Sequence, residues 1–207
     1  MSSPTAFERS FAFGHVSGIS RGALDLHVEL YRGYVRQVSI LQGQADLLLQ
    51  DASSEQSVQM RRDSVTQRLA FELNGMLLHE LFFEQLDGQP SDPGPAAGGA
   101  FQHAINASFP SLEAWRLNVI SLSQTRGIGW VITFRNPRSG MLGNYWIGEH
   151  HHAVPVGHQP IAVFDLWEHA YLPDHADGSR KEYMATLFRN LDWSVLDQRF
   201  GIHARCT

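Results

Sequence analysis

Apolar residues recur at helical spacing in two long stretches of the first half of the chain, Ser20–Gln50 and Asp63–Leu86. The repeating positions are Leu24, Val28, Tyr31 and Val35 in the first stretch, and Leu69, Leu73, Met76, Leu77 and Phe82 in the second. Such spacing is typical of amphipathic helices. Only the short polar break "DASSEQS" separates the two stretches, so the sequence predicts an antiparallel helical hairpin.

A cluster of Pro and Gly residues, "LDGQPSDPGPAAGGA" at Leu86–Ala100, interrupts the helical pattern. We place a domain boundary inside it, which gives an N-terminal domain over residues 1–94 and a C-terminal domain over residues 95–207. The next segment, "AFQHAINASFPSLEAWRLNVISLSQ", predicts one or two helices. Ser111 is the expected N-cap of the later one, with Glu113 near its first turn.

The hydrophobic period then changes from helical to strand-like. The segments "GWVITFRN", "MLGNYWIGEH" and "PIAVFDLW" are short, aromatic and β-branched, and Asn136–Gly140 is the expected hairpin turn between the first two. A last helix is predicted over Arg180–Arg199. The fold class is therefore α+β: a helical hairpin, then an α/β domain with a small, about three-stranded antiparallel sheet flanked by helices.

Composition and charge narrow the class of protein. Of the 207 residues, 43% are hydrophobic and 18% charged, and the net charge of −5 argues against a general nucleic-acid binder. No apolar run approaches the ~20 residues that span a bilayer. The first residues lack the pattern of an export signal, and the single cysteine, Cys206, cannot form an internal disulfide. We therefore expect a cytoplasmic protein without membrane or nucleic-acid partners.

Among the eleven histidines, four residues stand out as candidate metal ligands. His27 and His79 lie among apolar neighbours on the two predicted hairpin helices. Each could be an ordinary core histidine, but facing histidines on packed helices also build metal sites. Asp165 and His169 flank the end of the last strand, where they could bind one ion or simply lock the turn through a hydrogen bond. Imidazole and carboxylate donors without thiolate suit zinc, iron, manganese or copper.

The segment "DLWEHAY", Asp165–Tyr171, resembles the signature D-x-W-E-H-A-Y of the iron/manganese superoxide dismutase family at every fixed position. The stretches "GIGWV", "ISRGALDLH" and "ELNGMLLHELFF" are similar to further family segments. The resemblance implies that one iron or manganese ion is bound by His27, His79, Asp165 and His169. It also implies that the protein disproportionates superoxide to oxygen and hydrogen peroxide.

The first helix departs from the family pattern H-x-x-x-H-x-x-x-Y. Here Tyr31 takes the place of the second histidine, and Tyr34 comes one residue early. Seven residues return a side chain to about the same face of a regular α-helix, whereas eight fit only with a π-bulge. We therefore assign Tyr34 to the family's gateway tyrosine on a helix without a bulge. The alternative is that Tyr34 is only a core aromatic residue.

The resemblance also assigns a residue that contacts the metal-bound solvent. Gly75 stands where iron-type members have a glutamine, and "GEHHHAVPVGHQPIAVFDLW" resembles the subgroup that supplies a histidine five residues before a proline. This spacing selects His150. On an extended segment His151 would face the other way, and His152 would lie too far along. We expect iron rather than manganese. Leu78 and Phe83 replace a family asparagine and tryptophan.

A two-fold homodimer is implied as well, with a tetramer as the alternative. In the family, the glutamate at the position of Glu168 binds the partner subunit's ligand histidine, and the tyrosine at Tyr171 reaches the partner's first helix. That contact would here involve Tyr31. Trp130 and Trp167 complete the expected surroundings of the metal.

Two other functions compete with the dismutase hypothesis. The altered first helix and metal surroundings fit a metal-binding relative with weak or no dismutase activity. A zinc-loaded structural or interaction protein would keep the four ligands without the redox chemistry.

Overall fold

The computed structural model describes residues 7–51, 53, 55–87 and 99–204, and for residues 202–204 it describes the backbone only. The predicted hairpin is present: α1 spans Arg21–Gln50 and packs mainly against α2, which spans Gln56–Asp87. The Ser20 hydroxyl caps α1 by accepting a hydrogen bond from the Ala23 amide. Helix α2 begins seven residues before the predicted start, because residues 56–62 include good helix formers and a buried Val58.

Two short helices follow the Pro- and Gly-rich cluster. They are α3, Ala100–Ser108, and α4, Leu112–Ser123. The prediction for Ser111 is confirmed, since its hydroxyl accepts a hydrogen bond from the Ala114 amide at 3.1 Å. The domain boundary placed between residues 94 and 95 lies outside the described residues, as does Cys206, and the boundary stays a prediction.

Three antiparallel strands form the sheet, in the order β2-β1-β3. Their bounds are β1 Gly129–Arg135, β2 Leu142–Gly148 and β3 Gln159–Asp165. Strand β1 lies in the centre and is buried along its whole length, as its run of β-branched and aromatic residues predicts. The register pairs Trp130 with Asp165, so the end of β3 faces the start of β1.

The C-terminal part contains α5 (Glu168–Tyr171), α6 (Arg180–Arg189) and α7 (Trp193–Ala204). The prediction of one last helix over Arg180–Arg199 is wrong. The Asn190 side chain donates to the Thr186 and Ser17 carbonyls, and the Asp192 carboxylate accepts the Ser194 amide. Both side chains compete with the helical hydrogen bonds and divide the segment in two.

A single buried cluster joins the hairpin to the sheet and the C-terminal helices. Phe82 and Phe83 from α2 pack there with Trp130 from β1 and Phe164 from β3. The α+β fold class is confirmed. No helix among the described residues is long and apolar enough to span a membrane. This core brings one face of α1 and one face of α2 against the end of β3.

Candidate metal centre

Four side chains from four separate elements meet where the hairpin touches the end of β3. They are His27 on α1, His79 on α2, Asp165 at the end of β3 and His169 on α5, and their ligand atoms all lie within 4.8 Å of one another. The Asp165 Oδ2 atom lies 3.0 Å from His27 Nε2, 3.4 Å from His169 Nε2 and 3.6 Å from His79 Nε2. The structure thus brings together all four residues that the sequence nominated as ligands; their binding of a metal stays a prediction.

Hydrogen bonds on the far side of these groups direct their free atoms into the centre. His79 Nδ1 lies 2.6 Å from the Gly75 carbonyl, which can only accept, so Nδ1 carries the proton and Nε2 a lone pair. Asp165 Oδ1 accepts the Trp167 amide, which leaves Oδ2 for the centre. The Nε2 atoms of His79 and His169 are buried and have no hydrogen-bond partner among the described residues. Such orientation is typical of metal ligands.

The charges of these groups also suit a metal ion. Burial lowers the pKa of His27, and it holds the pKa of His79 well below the ordinary value. Burial alone would raise the pKa of Asp165, but the neighbouring His169 and His27 outweigh it and hold the pKa well below its usual range. Neutral imidazoles and one carboxylate are the forms that coordinate a metal, so the residues present fit iron or manganese.

His150 lies in a turn, and the extended conformation predicted for this segment is wrong. Strand β2 ends at Gly148, and Glu149 follows with a φ of 50°. The turn buries His150 completely while His151 and His152 stay exposed. The burial of His150 alone among the three histidines therefore agrees with its selection from the sequence. The cause of this burial is the turn, and not the expected alternation along a strand.

A chain of hydrogen bonds links His150 to Tyr34. Trp130 Nε1 donates to His150 Nδ1 at 3.0 Å, so the neutral ring carries its proton on Nε2. That nitrogen lies 2.7 Å from the Tyr34 hydroxyl, to which it donates. Burial lowers the pKa of His150 to about 4, which keeps the ring neutral at physiological pH. The ring also stacks on Trp167 at 4.8 Å.

Tyr34 occupies the place that the spacing of seven predicts. Helix α1 is α-helical over its whole length, and the Tyr34 ring lies 5.1 Å from the His79 ring. Gly75 explains how the ring fits, because a Cβ atom added there would lie 2.6 Å from Tyr34 Cε1. The sequence did not nominate Asn74, which holds the turn by donating to the His150 carbonyl at 3.0 Å. In the sequence, the feature that points to Asn74 is its position one residue before Gly75.

Tyr31 is engaged within its own chain. It is fully buried, donates to Glu80 Oε1 at 2.9 Å and accepts the Arg9 amide at 2.9 Å. Burial raises the pKa of its hydroxyl to about 12. Tyr171 is buried too, whereas Glu168 is exposed. The contacts of Tyr31, Tyr171 and Glu168 with a second subunit stay predictions.

Comparisons with known proteins agree with this geometry. The family model for iron/manganese superoxide dismutases, C-terminal domain, matches residues 97–199. A superoxide dismutase [Fe] of Cupriavidus metallidurans is 32% identical over 135 residues, which span 64% of this chain and 64% of that protein. A superoxide dismutase [Fe] of Aquifex aeolicus is 28% identical over 90% of this chain and 86% of its own length. The mitochondrial superoxide dismutase [Mn] of Saccharomyces cerevisiae is 26% identical over 84% of this chain and 74% of its own length.

The fold and the site define a protein in which four candidate metal ligands meet between a helical hairpin and a small sheet. Together with these matches, they show that the chain belongs to the iron/manganese superoxide dismutase family.

Proposed function

We propose that this protein is a superoxide dismutase that converts superoxide to oxygen and hydrogen peroxide. The observation that carries the proposal is the set of three imidazoles and one carboxylate, buried except for a partly exposed His169, next to the hydrogen-bonded pair Tyr34–His150. His27, His79, Asp165 and His169 would hold the metal. When bound, iron or manganese supplies one-electron redox chemistry, by which one superoxide is oxidised and the next is reduced.

The chain's own residues would supply and hold a proton. Reduction of superoxide to hydrogen peroxide consumes two protons. His150 donates through Nε2 to the Tyr34 oxygen, so the Tyr34 hydroxyl hydrogen is free to point to another acceptor. Burial and the nearby Asp165 carboxylate raise the pKa of Tyr34, and the hydroxyl therefore stays protonated. Tyr34 would thus act as a proton donor beside the centre.

Iron is the metal that we favour. The relatives from C. metallidurans and A. aeolicus are both named superoxide dismutase [Fe], and His150 rather than a glutamine lies beside Tyr34. We also propose a homodimer. Its support is the exposed carboxylate of Glu168 next to His169, whose side chain is 17% exposed in the single chain.

The test is metal analysis and a dismutase assay on one purified sample. The proposal expects one iron or manganese ion per chain and rapid decay of superoxide. Iron or manganese without activity would favour the inactive relative, and zinc alone would favour a structural protein.

A matched pair of variants ties the activity to the site. Asp165→Ala removes the ligand whose Oδ2 faces all three histidines, and it should abolish both metal retention and activity. Asp177→Ala removes an exposed carboxylate that is not one of the four candidate ligands and should change neither. Full metal occupancy in Asp165→Ala would refute the assignment of this centre.

A further inference from the structure

A second group of metal-ligating side chains lies outside the buried centre, in the turn that follows β2. Glu149, His151 and His152 present a carboxylate oxygen and two imidazole nitrogens within 4.8 Å of one another. We propose that these three side chains form a surface site for a divalent cation of the zinc class. We call the group the turn cluster.

The backbone of the turn holds the cluster together. The amide of Gly148 donates to the His152 carbonyl at 3.1 Å, and the amide of His152 donates back to the Gly148 carbonyl at 3.0 Å. The amide of Glu149 donates to the Ile128 carbonyl at 3.0 Å, which fixes the turn to the residue before β1. Since the chain reverses here, neighbouring side chains no longer alternate between two faces. The rings of His151 and His152 lie only 4.2 Å apart.

The donor atoms of the cluster are open to a ligand from solvent. His151 and His152 are exposed and Glu149 is partly exposed. Within the part of the chain that the structure describes, no side-chain hydrogen bond or ion pair engages any of the three. Binding of a cation at these atoms would therefore require no side-chain hydrogen bond or ion pair between described residues to break.

The donor set and its dimensions favour zinc. Two imidazoles and one carboxylate suit zinc-class cations better than the hard, oxygen-binding calcium or magnesium. Zinc sites are usually tetrahedral, and with zinc–ligand bonds of about 2.0–2.2 Å two ligand atoms then lie roughly 3.3–3.6 Å apart. A pair at the 4.8 Å limit would close by up to roughly 1.5 Å, which exposed side chains achieve by rotations about their χ angles. Solvent would complete the coordination.

The turn cluster is independent of the proposed dismutase function. His150, between Glu149 and His151 in the chain, turns inward to Tyr34, whereas the cluster faces solvent. Neither the identity nor the presence of a metal at the buried centre enters the argument. Binding at the cluster can therefore succeed or fail whatever the activity of the protein.

The test is a zinc titration of the purified protein in competition with a chromophoric chelator. We expect the wild-type chain to bind one more Zn²⁺ than the double variant His151→Gln/His152→Gln, with unchanged thermal unfolding in the absence of zinc. Removal of a group that only hydrogen-bonds to a metal ligand already lowers the metal affinity of a site about 10- to 100-fold. Each single variant, Glu149→Gln included, should therefore bind at least tenfold more weakly.

His158→Gln is the matched control, because His158 lies on the loop before β3 and outside the cluster. Repeating the titration in the Asp165→Ala background excludes the buried centre as the source of the signal. Equal zinc affinity and stoichiometry in the wild type and the double variant would overturn the proposal. An equal loss of binding in His158→Gln would overturn it as well.

Discussion

The two histidine clusters of this protein differ in how their ligand atoms are oriented. In the buried centre, contacts outside the ring of ligands set the orientation: the Gly75 carbonyl binds His79, and the Trp167 amide binds Asp165. In the turn cluster the backbone turn brings the side chains together, and no side-chain hydrogen bond from another described residue orients them. The buried Asp165 carboxylate has lost its hydration, and opposite charge must compensate for that loss. The partly exposed Glu149 carboxylate is still hydrated by solvent. We therefore expect a tightly held metal in the centre and a weakly held, exchangeable one in the turn.

The largest expected effect comes from removing one ligand in each cluster. His79→Ala leaves the buried centre one donor short and Asp165 without one of its three imidazole neighbours. We expect complete loss of tightly bound metal and of dismutase activity. His151→Ala should keep the tightly held metal, since His151 belongs to the turn cluster and is not one of the four candidate ligands of the buried centre. Metal analysis after dialysis against a chelator measures the metal that each variant retains. Equal metal retention in His79→Ala and His151→Ala would contradict the expected difference between the two clusters.

His150 lies between the two regions, and its response to pH shows to which region it belongs. Its pKa in the folded protein is about 4, because burial disfavours the charged ring, whereas an unfolded histidine has a pKa near 6.5. Above pH ~6.5 both states are neutral and the group has no effect on stability. As the pH falls from about 6.5 to 4, the unfolded state binds the proton first, and the folded state loses up to about 3 kcal/mol.

Glutamine does not titrate, so His150→Gln should remove this part of the acid sensitivity. Urea unfolding between pH 8 and 4.5, at matched metal content, measures the free energy of unfolding of both proteins. The wild type should lose more stability on acidification than the variant. His152→Gln is the control, because it makes the same replacement at an exposed histidine of the same turn. Parallel profiles for the wild type and His150→Gln would mean that His150 is solvated like its two neighbours.

Much of the architecture could be predicted from the sequence because hydrophobic period and caps are local signals. Ser111 caps α4 as expected, and the seven-residue spacing brings Tyr34 to the face of His27. The exact division at Asn190 could not be predicted, since it depends on a hydrogen bond to the distant Ser17. The four candidate ligands stand out in the sequence by residue type and position, the resemblance assigns them to one ion, and the fold brings them together.

The turn after β2 illustrates what local pattern cannot supply. A run of three histidines after an aromatic strand favours continued extension, whereas the chain reverses after Gly148. The reversal depends on bonds to Ile128 and to Asn74, residues that are distant in sequence. The tautomer of His150 likewise depends on Trp130, which tertiary packing brings to Nδ1.

Glu168→Ala tests whether a second copy of the chain completes the burial of the centre. His169 is the one ligand that is partly exposed, and the Glu168 carboxylate beside it is exposed. If Glu168 binds His169 of the partner subunit, its loss should weaken association by about 2 kcal/mol or more. It should also lower metal retention. Analytical ultracentrifugation measures the association, and Glu182→Ala on α6 removes an exposed carboxylate as the control. An unchanged dimer affinity would mean that Glu168 has another role.

The smallest expected effect comes from Tyr31→Phe, which separates burial from metal binding. Tyr31 is as buried as His79 and Asp165, but among the described residues its hydroxyl binds Glu80 and the Arg9 amide. Loss of these hydrogen bonds should reduce the free energy of unfolding by about 1 kcal/mol. The ring would still pack on Phe83, so the metal content should stay the same.

Tyr145→Phe, at an exposed ring of β2, is the matched control and should change stability by less than about 0.5 kcal/mol. Urea unfolding and metal analysis of both variants are sufficient for this comparison. A fall in metal content in Tyr31→Phe would show that the hydroxyl supports the centre. A weaker dimer would show instead that it reaches the partner subunit, because the hydrogen bonds within the chain do not depend on association.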